Sequence, residues 1–294
     1  MNARIRLVRR LAVVLVLPAI VVAQSLNLVR TVVRPILNMY SSATSDADVV
    51  SQAVYATPVT VLEEKGGWAK IKTPDDYTGW VESAALAGRS GDPYASGKNV
   101  VQVRSLFAHI YREENVTRHA PLLTVPFETR LELDGENVTK SERWSAILLP
   151  DGRRAMIQTA DVAPAGGTLN IDETIALARR FLGLPYTWGG TSSYGYDCSG
   201  FTQMLMRQRG YSMPRDARDQ AVWAGLGPVE TTDVKPGDLL YFGSSEQRIT
   251  HTGLYIGDRL FINATTHERP VVRIDNLDDP YWVKLLVAAR RVKP

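Results

Sequence analysis

Residues 185–201 read Pro-Tyr-Thr-Trp-Gly-Gly-Thr-Ser-Ser-Tyr-Gly-Tyr-Asp-Cys-Ser-Gly-Phe, and Cys198 within them is the only cysteine of the 294-residue chain. A single cysteine can form neither an intramolecular disulfide nor a zinc site built from several thiolates. Cys198 is therefore either a small buried hydrophobic residue or a reactive thiol.

The residues that flank Cys198 favour the reactive thiol. Asp197 is a good N-cap, and residues 201–209 read as a helix that ends before Gly210. Cys198 would then lie in the first turn of this helix, where free N–H groups and the partial positive charge favour thiolate over thiol. The alternative is a core cysteine that happens to begin a helix.

A second segment could supply the base that a catalytic thiol needs. Residues 249–258 and 259–264 read as a hairpin of two β-rich strands around a Gly-Asp turn. His251 would be the base, and Asn263 could orient its imidazole. The remaining histidines have no comparable setting and are expected to be exposed or structural: His109, His119 and His267.

The length of the hairpin loop decides whether His251 and Asn263 can meet. A loop of three residues, 257–259, places Gly253 opposite Asn263, so that His251 and Asn263 lie diagonally on one face, about 7–8 Å apart at Cα. A loop of two residues, 257–258, sends the two side chains to opposite faces. A catalytic triad built on these residues therefore predicts the longer loop.

Six ordered motifs run through the C-terminal part of the chain: Pro185–Gly190, Asp197–Phe201, Pro214–Asp216, Pro236–Leu239, His251–Gly257 and Phe261–Ala264. On these motifs, the segment from about Leu169 onward closely resembles NlpC-type cell-wall cysteine peptidases, a compact papain-like family. The resemblance implies Cys198 as nucleophile, His251 as base and Asn263 as the polar third member. That third position is often His in the family. Asn cannot titrate, but it can fix the tautomer of the imidazole.

A repeat precedes this segment. Trp68 and Trp80 are twelve residues apart, and so are Trp144 and Met156. Each pair belongs to short apolar stretches separated by Gly, Pro and Asp turns, a pattern typical of small β-barrels. Both copies resemble bacterial SH3-like modules, the first more clearly than the second.

The predicted fold class is α+β, with a papain-like NlpC catalytic domain preceded by two small SH3-like β-barrels. The predicted domains are a signal peptide at 1–23, SH3-like domains at 35–87 and 97–164, and a peptidase domain at 169–294. Residues 88–93 and 163–167 read as linkers. Asn170 and Glu173 form the signature of a capping box. The helix that follows is expected to bury Ile175, Ala178, Phe181 and Leu182.

The first 23 residues have the composition of a secretory signal. Four arginines precede an apolar run from Leu11 to Ala23, and residues 21–23 form a plausible cleavage site. The run is shorter than the ~20 residues that a bilayer span needs, although an uncleaved anchor is the alternative. Cleavage removes four positive charges and changes the formal net charge from +3 to −1. The sequence has no basic patch interleaved with aromatic residues, so a nucleic-acid partner is not predicted. No glycine-rich phosphate loop or His-Glu-x-x-His pair is present, so neither a cofactor nor a metal is predicted.

The whole chain looks like the subgroup in which the first of two SH3-like modules leans over the active site. The resemblance implies an endopeptidase for the γ-D-glutamyl bond to a diamino acid, meso-diaminopimelate, in peptidoglycan stem peptides with a free N-terminal L-alanine. The subgroup usually carries an acidic residue near Ser42, so Ser42 is a departure that bears on the free-amine preference. The implied substrate contacts are Asp197 and Tyr77 at the amine, Tyr186 at the oxyanion, Ser199 at the substrate or the helix start, and Trp188 in the pocket wall.

Two other functions are compatible with the sequence. One is a non-catalytic wall-binding protein, against which the intact Cys198, His251 and Asn263 argue. The other is a thiol amidase or transpeptidase that acts on another amide, and product analysis would identify it. Arg215 and Asp216 match a family motif and are interpreted as a buried ion pair or as substrate contacts. We expect an exported monomer, periplasmic or at the cell wall, with no stable membrane span after signal removal.

Overall fold

The computed structural model describes residues 28–89, 91–135 and 143–293. The predicted signal peptide, residues 1–23, lies outside the described residues. The described chain folds into two seven-stranded sheets followed by a module in which helices cover a six-stranded sheet, so the predicted α+β class is confirmed. Within the described ranges, no helix is long and apolar enough to cross a membrane.

The first module is a sheet whose strands are β1 (Leu28–Val32), β2 (Ile36–Tyr40), β3 (Val49–Val54), β4 (Pro58–Lys65), β5 (Trp68–Lys72), β6 (Thr78–Glu82) and β7 (Leu86–Gly88). The strand order is β3-β2-β6-β5-β4-β1-β7. Alternate side chains such as Met39, Val61 and Ile71 fill its core, because successive residues of a strand point to opposite faces. β1 precedes the predicted boundary at residue 35, yet it pairs with both β4 and β7.

The second module repeats this topology with β8 (Val100–Val103), β9 (Phe107–Tyr111), β10 (Leu123–Pro126), β11 (Arg130–Leu133), β12 (Trp144–Leu148), β13 (Arg154–Gln158) and β14 (Val162–Pro164). Its strand order is β10-β9-β13-β12-β11-β8-β14. When the strands of each module are numbered from one to seven, the two orders are identical. The two copies of the sequence repeat also pair their strands in the same register. Lys70 faces Trp80 in β5–β6, and Ala146 faces Met156 in β12–β13.

The C-terminal module holds the motifs around Cys198 and His251. Its helices are α1 (Ile171–Arg179), α2 (Cys198–Gln208), α3 (Ala217–Ala221) and α4 (Pro280–Leu285). Its strands are β15 (Thr191–Ser192), β16 (Gly195–Tyr196), β17 (Leu226–Val229), β18 (Leu239–Gly243), β19 (Ile249–Gly257), β20 (Leu260–Thr265), β21 (Val271–Asn276) and β22 (Leu286–Val292). The large sheet has the order β17-β22-β18-β19-β20-β21, and α2 packs against β19 and β20.

The predicted helix ends of this module are confirmed. The Asp197 side chain accepts the Gly200 N–H at the start of α2, and α2 ends before Gly210, whose φ of 86° is left-handed. Asn170 and Glu173 form the predicted capping box of α1. The expectation that Leu182 is buried is wrong: α1 ends at Arg179, and Leu182 is exposed in the turn beyond it.

The β19–β20 hairpin has the register that the triad requires, but a different turn. Leu254 faces Ile262, which places Gly253 opposite Asn263 as the longer loop predicts. The loop itself contains only Asp258 and Arg259, both left-handed at φ 51° and 61°, as a tight hairpin turn demands. A β-bulge between Tyr255 and Gly257 supplies the extra residue. A bulge and a longer loop shift the strand parity equally.

Direct contacts hold the three modules together. Tyr55 of the first module and Tyr94 of the connecting segment pack into the core of the second module. Glu128 of the second module accepts hydrogen bonds from Arg207 at 2.7 Å and from Gln208 at 2.6 Å, both on α2. The helix that begins with Cys198 is therefore fixed at its far end by the second module.

Candidate active site

The nucleophile candidate occupies the first position of α2. Cys198 follows the Asp197 cap, its side chain is only 8% exposed, and it is a free thiol. The backbone N–H groups of Thr252 and Ser199 lie close enough to its sulfur to favour the thiolate. Thr252 directly follows His251, so the packing of α2 on β19 brings the thiol beside the predicted base.

The base candidate is held by aromatic packing on one side and an amide on the other. His251 stacks on Trp282 of α4 with ring centroids 5.1 Å apart and 27° between the planes. Phe242 of β18 contacts the same imidazole at 5.6 Å. The imidazole Nε2 is 2.8 Å from Asn263 Oδ1, so the predicted pair does meet across the hairpin.

The orientation of the Asn263 amide is fixed by the hydrogen bonds of its nitrogen. Its Nδ2 donates to Asp275 Oδ2 at 2.9 Å and to the Arg273 carbonyl at 3.4 Å. Asp275 in turn is paired with the Arg273 guanidinium at 2.8 Å. Because the amide nitrogen is used by Asp275, the oxygen faces His251 and accepts from Nε2–H. The Nδ1 lone pair then remains for the proton of the thiol.

Burial determines the resting protonation state of the pair. It raises the pKa of Cys198 to about 12, with a smaller contribution from the Asp197 charge. Burial also lowers the pKa of His251 to about 4, although its hydrogen bond to Asn263 acts in the opposite direction. The partial charge of the helix terminus favours the thiolate, but the loss of hydration acts in the opposite direction and is the larger effect. Burial therefore favours a neutral thiol and a neutral imidazole.

We expect this neutral pair to give a broad pH profile. Falling pH protonates His251 only near its lowered pKa of about 4, and protonation removes the base. The kcat/KM for peptide hydrolysis should therefore be nearly constant from about pH 5 to pH 9 and decline below that range. Initial rates in buffers of constant ionic strength would measure it. An acid limb near pH 6.5 would contradict the neutral pair.

Arg215 connects both neighbours of the nucleophile. Its buried guanidinium donates to Asp197 Oδ2 at 2.6 Å and Oδ1 at 3.0 Å, and to Ser199 Oγ at 2.8 Å. The interpretation of Arg215 and Asp216 as an ion pair is thus corrected: Arg215 is in a buried ion pair, but its partner is Asp197. A bidentate guanidinium matches a carboxylate in geometry, and here the carboxylate also caps α2.

The first module contacts the C-terminal module beside Cys198. Ser51 Oγ accepts from Arg215 Nε at 3.1 Å, and the Val49 carbonyl accepts from Trp188 Nε1 at 3.0 Å. The Tyr77 hydroxyl donates to Asp216 Oδ2 at 3.2 Å, and burial, with a smaller effect of Asp216, raises the pKa of Tyr77 to about 12. Tyr77 thus lies at the module junction, and its contact with the substrate amine stays a prediction.

The other predicted contact residues differ in their solvent exposure. Trp188 is 71% exposed and forms part of the rim. Burial raises the pKa of the Tyr186 phenol, and Tyr186 is close enough to Cys198 that a thiolate there would act in the same direction. Ser199 is buried, and its hydroxyl is bonded to Arg215 and Asp197, which favours a role in the helix start. Ser42 is exposed in the loop between β2 and β3.

Sequence reasoning missed the residues that support the triad candidates. Asp275, Arg273 and Trp282 were not singled out, although β21 carries a usable signal. Val272 and Ile274 alternate with Arg273 and Asp275, which places the two charged residues on one face of the strand. Within the described residues, no three His, Cys, Asp or Glu side chains are grouped so that they could hold a metal ion.

Two parts of the chain match models of known protein families. The model of the NlpC/P60 family matches residues 183–291, and that of the bacterial SH3 domain matches residues 36–87. Two SH3 domains were expected, but only the first module is found as one. The strand order of the second module nevertheless equals that of the first module.

Relatives cover most of the chain. The γ-D-glutamyl-L-lysine dipeptidyl-peptidase of Bacillus cereus is 31% identical over 83% of this chain and 75% of its own length. The enzyme of the same name from Bacillus subtilis is 31% identical over 84% of this chain and 82% of its own. The crystal structure of an NlpC/P60 family protein from Bacillus cereus superposes on this chain with a TM-score of 0.77 and is 26% identical in sequence. The superposition covers 90% of this chain and 100% of that chain. The chain therefore belongs to the NlpC/P60 family and is a peptidase.

Proposed function

We propose that this protein is a cysteine endopeptidase that hydrolyses the γ-D-glutamyl bond to a diamino acid, meso-diaminopimelate, in peptidoglycan stem peptides. Cys198 is the nucleophile, His251 the base and Asn263 the orienting residue. The observation that carries the proposal is the hydrogen bond of 2.8 Å between His251 on β19 and Asn263 on β20, the two strands against which the helix of Cys198 packs. Two relatives whose names specify a γ-D-glutamyl bond support this bond type.

The reaction is acyl transfer to the thiol. His251 Nδ1 removes the proton of Cys198 as the sulfur attacks the γ-carbonyl carbon, because the resting thiol is neutral. The oxyanion is stabilised by the Cys198 N–H, which lies in the first turn of α2 and has no intrahelical acceptor, and by the Tyr186 hydroxyl. The imidazolium then protonates the leaving amine, and water hydrolyses the thioester.

The first module restricts what enters on the acyl side. Ser51 and Val49 bond to residues that surround the nucleophile, so the module closes this side of the cleft. A closed end favours a short acyl group, which is L-alanyl-D-glutamate with a free amine. Tyr77 and Asp197 are the candidates at that amine. Asp197 Oδ1 accepts from Gly200, Arg215 and Ser199, whereas Oδ2 accepts from Arg215 alone, so Oδ2 has more remaining capacity for an amine.

A substrate panel tests the proposal. The protein and its Cys198→Ala variant are incubated with L-Ala-γ-D-Glu-meso-diaminopimelate, its L-lysine analogue and an N-acetylmuramoyl version, and products are identified by mass spectrometry. We expect release of the diamino acid from the free-amine peptides alone. Equal cleavage of the muramoyl peptide would refute the gate, and new amide products without hydrolysis would indicate a transpeptidase.

We expect Asn263→Ala to retain measurable but reduced activity. The variant loses the acceptor that holds Nε2–H of His251, so the imidazole samples unproductive tautomers and orientations. A loss of kcat of about 10- to 100-fold is expected from losing an orienting partner. Steady-state kinetics on the free-amine peptide would measure it. Thr124→Ala, which removes an exposed contact to His109, is the control, and an unchanged kcat in Asn263→Ala would contradict the assignment.

We also propose that the protein acts outside the cytoplasm, as its wall substrate requires. The N-terminal composition supports export. Fractionation of cells that produce the full chain would test the proposal, since retention in the cytoplasm would contradict it.

A further inference from the structure

An aromatic pair that the proposed reaction does not use lies next to the aromatic ring that supports His251. His267 and Tyr281 are stacked with ring centroids 3.7 Å apart and 2° between the planes. Both rings also contact Trp282, at 5.6 Å and 4.8 Å. Trp282 is the residue on which His251 stacks, so the pair lies one ring beyond the catalytic base.

The loop that carries His267 is held in place beside the nucleophile. Residues 266–270 connect β20 to β21, and the Pro270 carbonyl accepts the N–H of Tyr186 at 2.8 Å. Arg273 anchors Glu268 at 2.8 Å. Glu268 is left-handed at φ 55°, a conformation that costs free energy for a residue with a side chain and often accompanies function. The loop is therefore a fixed part of the rim.

The direction of the substrate follows from the chemistry, and this step rests on the proposed function. The acyl group, L-alanyl-D-glutamate, lies toward the first module. His251 must reach the leaving nitrogen in order to protonate it, so the leaving amino acid lies on the His251 side. The surface that continues beyond His251 on this side is formed by Trp282, His267 and Tyr281.

We infer that the His267–Tyr281 stack is the binding wall for the leaving diamino acid. Trp282 is almost fully buried and cannot serve alone, whereas Tyr281 is 43% exposed. Two stacked flat rings give a rigid surface for the methylene chain of a diamino acid, and both rings lose little side-chain entropy on binding. The wall adds specificity on the side of the scissile bond that the first module does not reach.

The test distinguishes an effect on binding of the leaving diamino acid from an effect on the catalytic groups. His267→Ala, Tyr281→Ala and the control Val283→Ala, an exposed residue of the same helix as Tyr281, are compared with the unmodified protein on two substrates. One is L-Ala-γ-D-Glu-meso-diaminopimelate, and the other is the γ-methyl ester of L-Ala-D-Glu, whose leaving group is methanol. We expect kcat/KM for the peptide to fall by about tenfold in the two ring variants, and kcat/KM for the ester to stay unchanged.

Each outcome has one meaning. Equal losses on both substrates would show that the rings only support His251, and no loss on the peptide would show that no wall exists; either result overturns the inference. If the unmodified protein hydrolyses the ester but neither diamino acid peptide, the proposed function fails, and the inference fails with it.

Discussion

The Cys198→Ala variant is expected to lose peptide hydrolysis almost completely, with kcat reduced on the order of 10⁶-fold. In the proposed mechanism the sulfur forms the covalent bond to the acyl group, and no other thiol exists in the chain to replace it. Water at the same position lacks both the nucleophilicity of sulfur and a fixed position next to the carbonyl carbon. Product release from the free-amine peptide, followed by mass spectrometry, measures the loss.

The same variant should keep its fold, and this separates catalysis from stability. Replacing the thiol by a hydrogen removes one buried heavy atom and leaves the Asp197 cap intact. Far-ultraviolet circular dichroism and the thermal midpoint should therefore match the unmodified protein within a few degrees. Hydrolysis at the unmodified rate would eliminate Cys198 as the nucleophile, and a collapsed fold would leave loss of structure as the cause of inactivity.

The Arg215→Met variant is expected to lose about 3–5 kcal/mol of stability, because it leaves the Asp197 carboxylate buried without its counter-charge. Arg215 is 3% exposed and makes a bidentate pair with Asp197, so solvent cannot replace the missing cation. The loss of the contact to Ser199 should also loosen the start of α2. Urea denaturation followed by tryptophan fluorescence would measure the loss.

A double variant is the matched control for this ion pair. Asp197→Asn combined with Arg215→Met removes both charges, and Asn is still able to cap α2. We expect the double variant to recover part of the stability that the single variant loses. Equal losses in the two variants would show that the packing of the Arg215 side chain, and not its charge, stabilises the region.

Local sequence features predicted the parts of the site that depend on one element or one hairpin. The Asp197 cap and the end of α2 were readable because helix termini need side-chain acceptors and a left-handed residue. The meeting of His251 and Asn263 was readable because side chains of a strand alternate with a period of two. The turn was predicted less well, since a bulge at Tyr255–Gly257 and a longer loop have the same effect on parity.

The sequence by itself determined the identity of the reactive groups, the helix that presents Cys198 and the strand face that joins His251 to Asn263. The tertiary structure alone decided which residue neutralises Asp197, where the first module contacts the C-terminal module and how Asn263 is oriented by Asp275. It also decided the burial that raises the pKa of Cys198 and lowers that of His251. These properties depend on burial and on partners that are distant in sequence, such as Trp188 and Val49, which are 139 residues apart. Local patterns have periods of two to four residues, so they specify elements and their faces. They do not specify which faces meet or how much water remains between them.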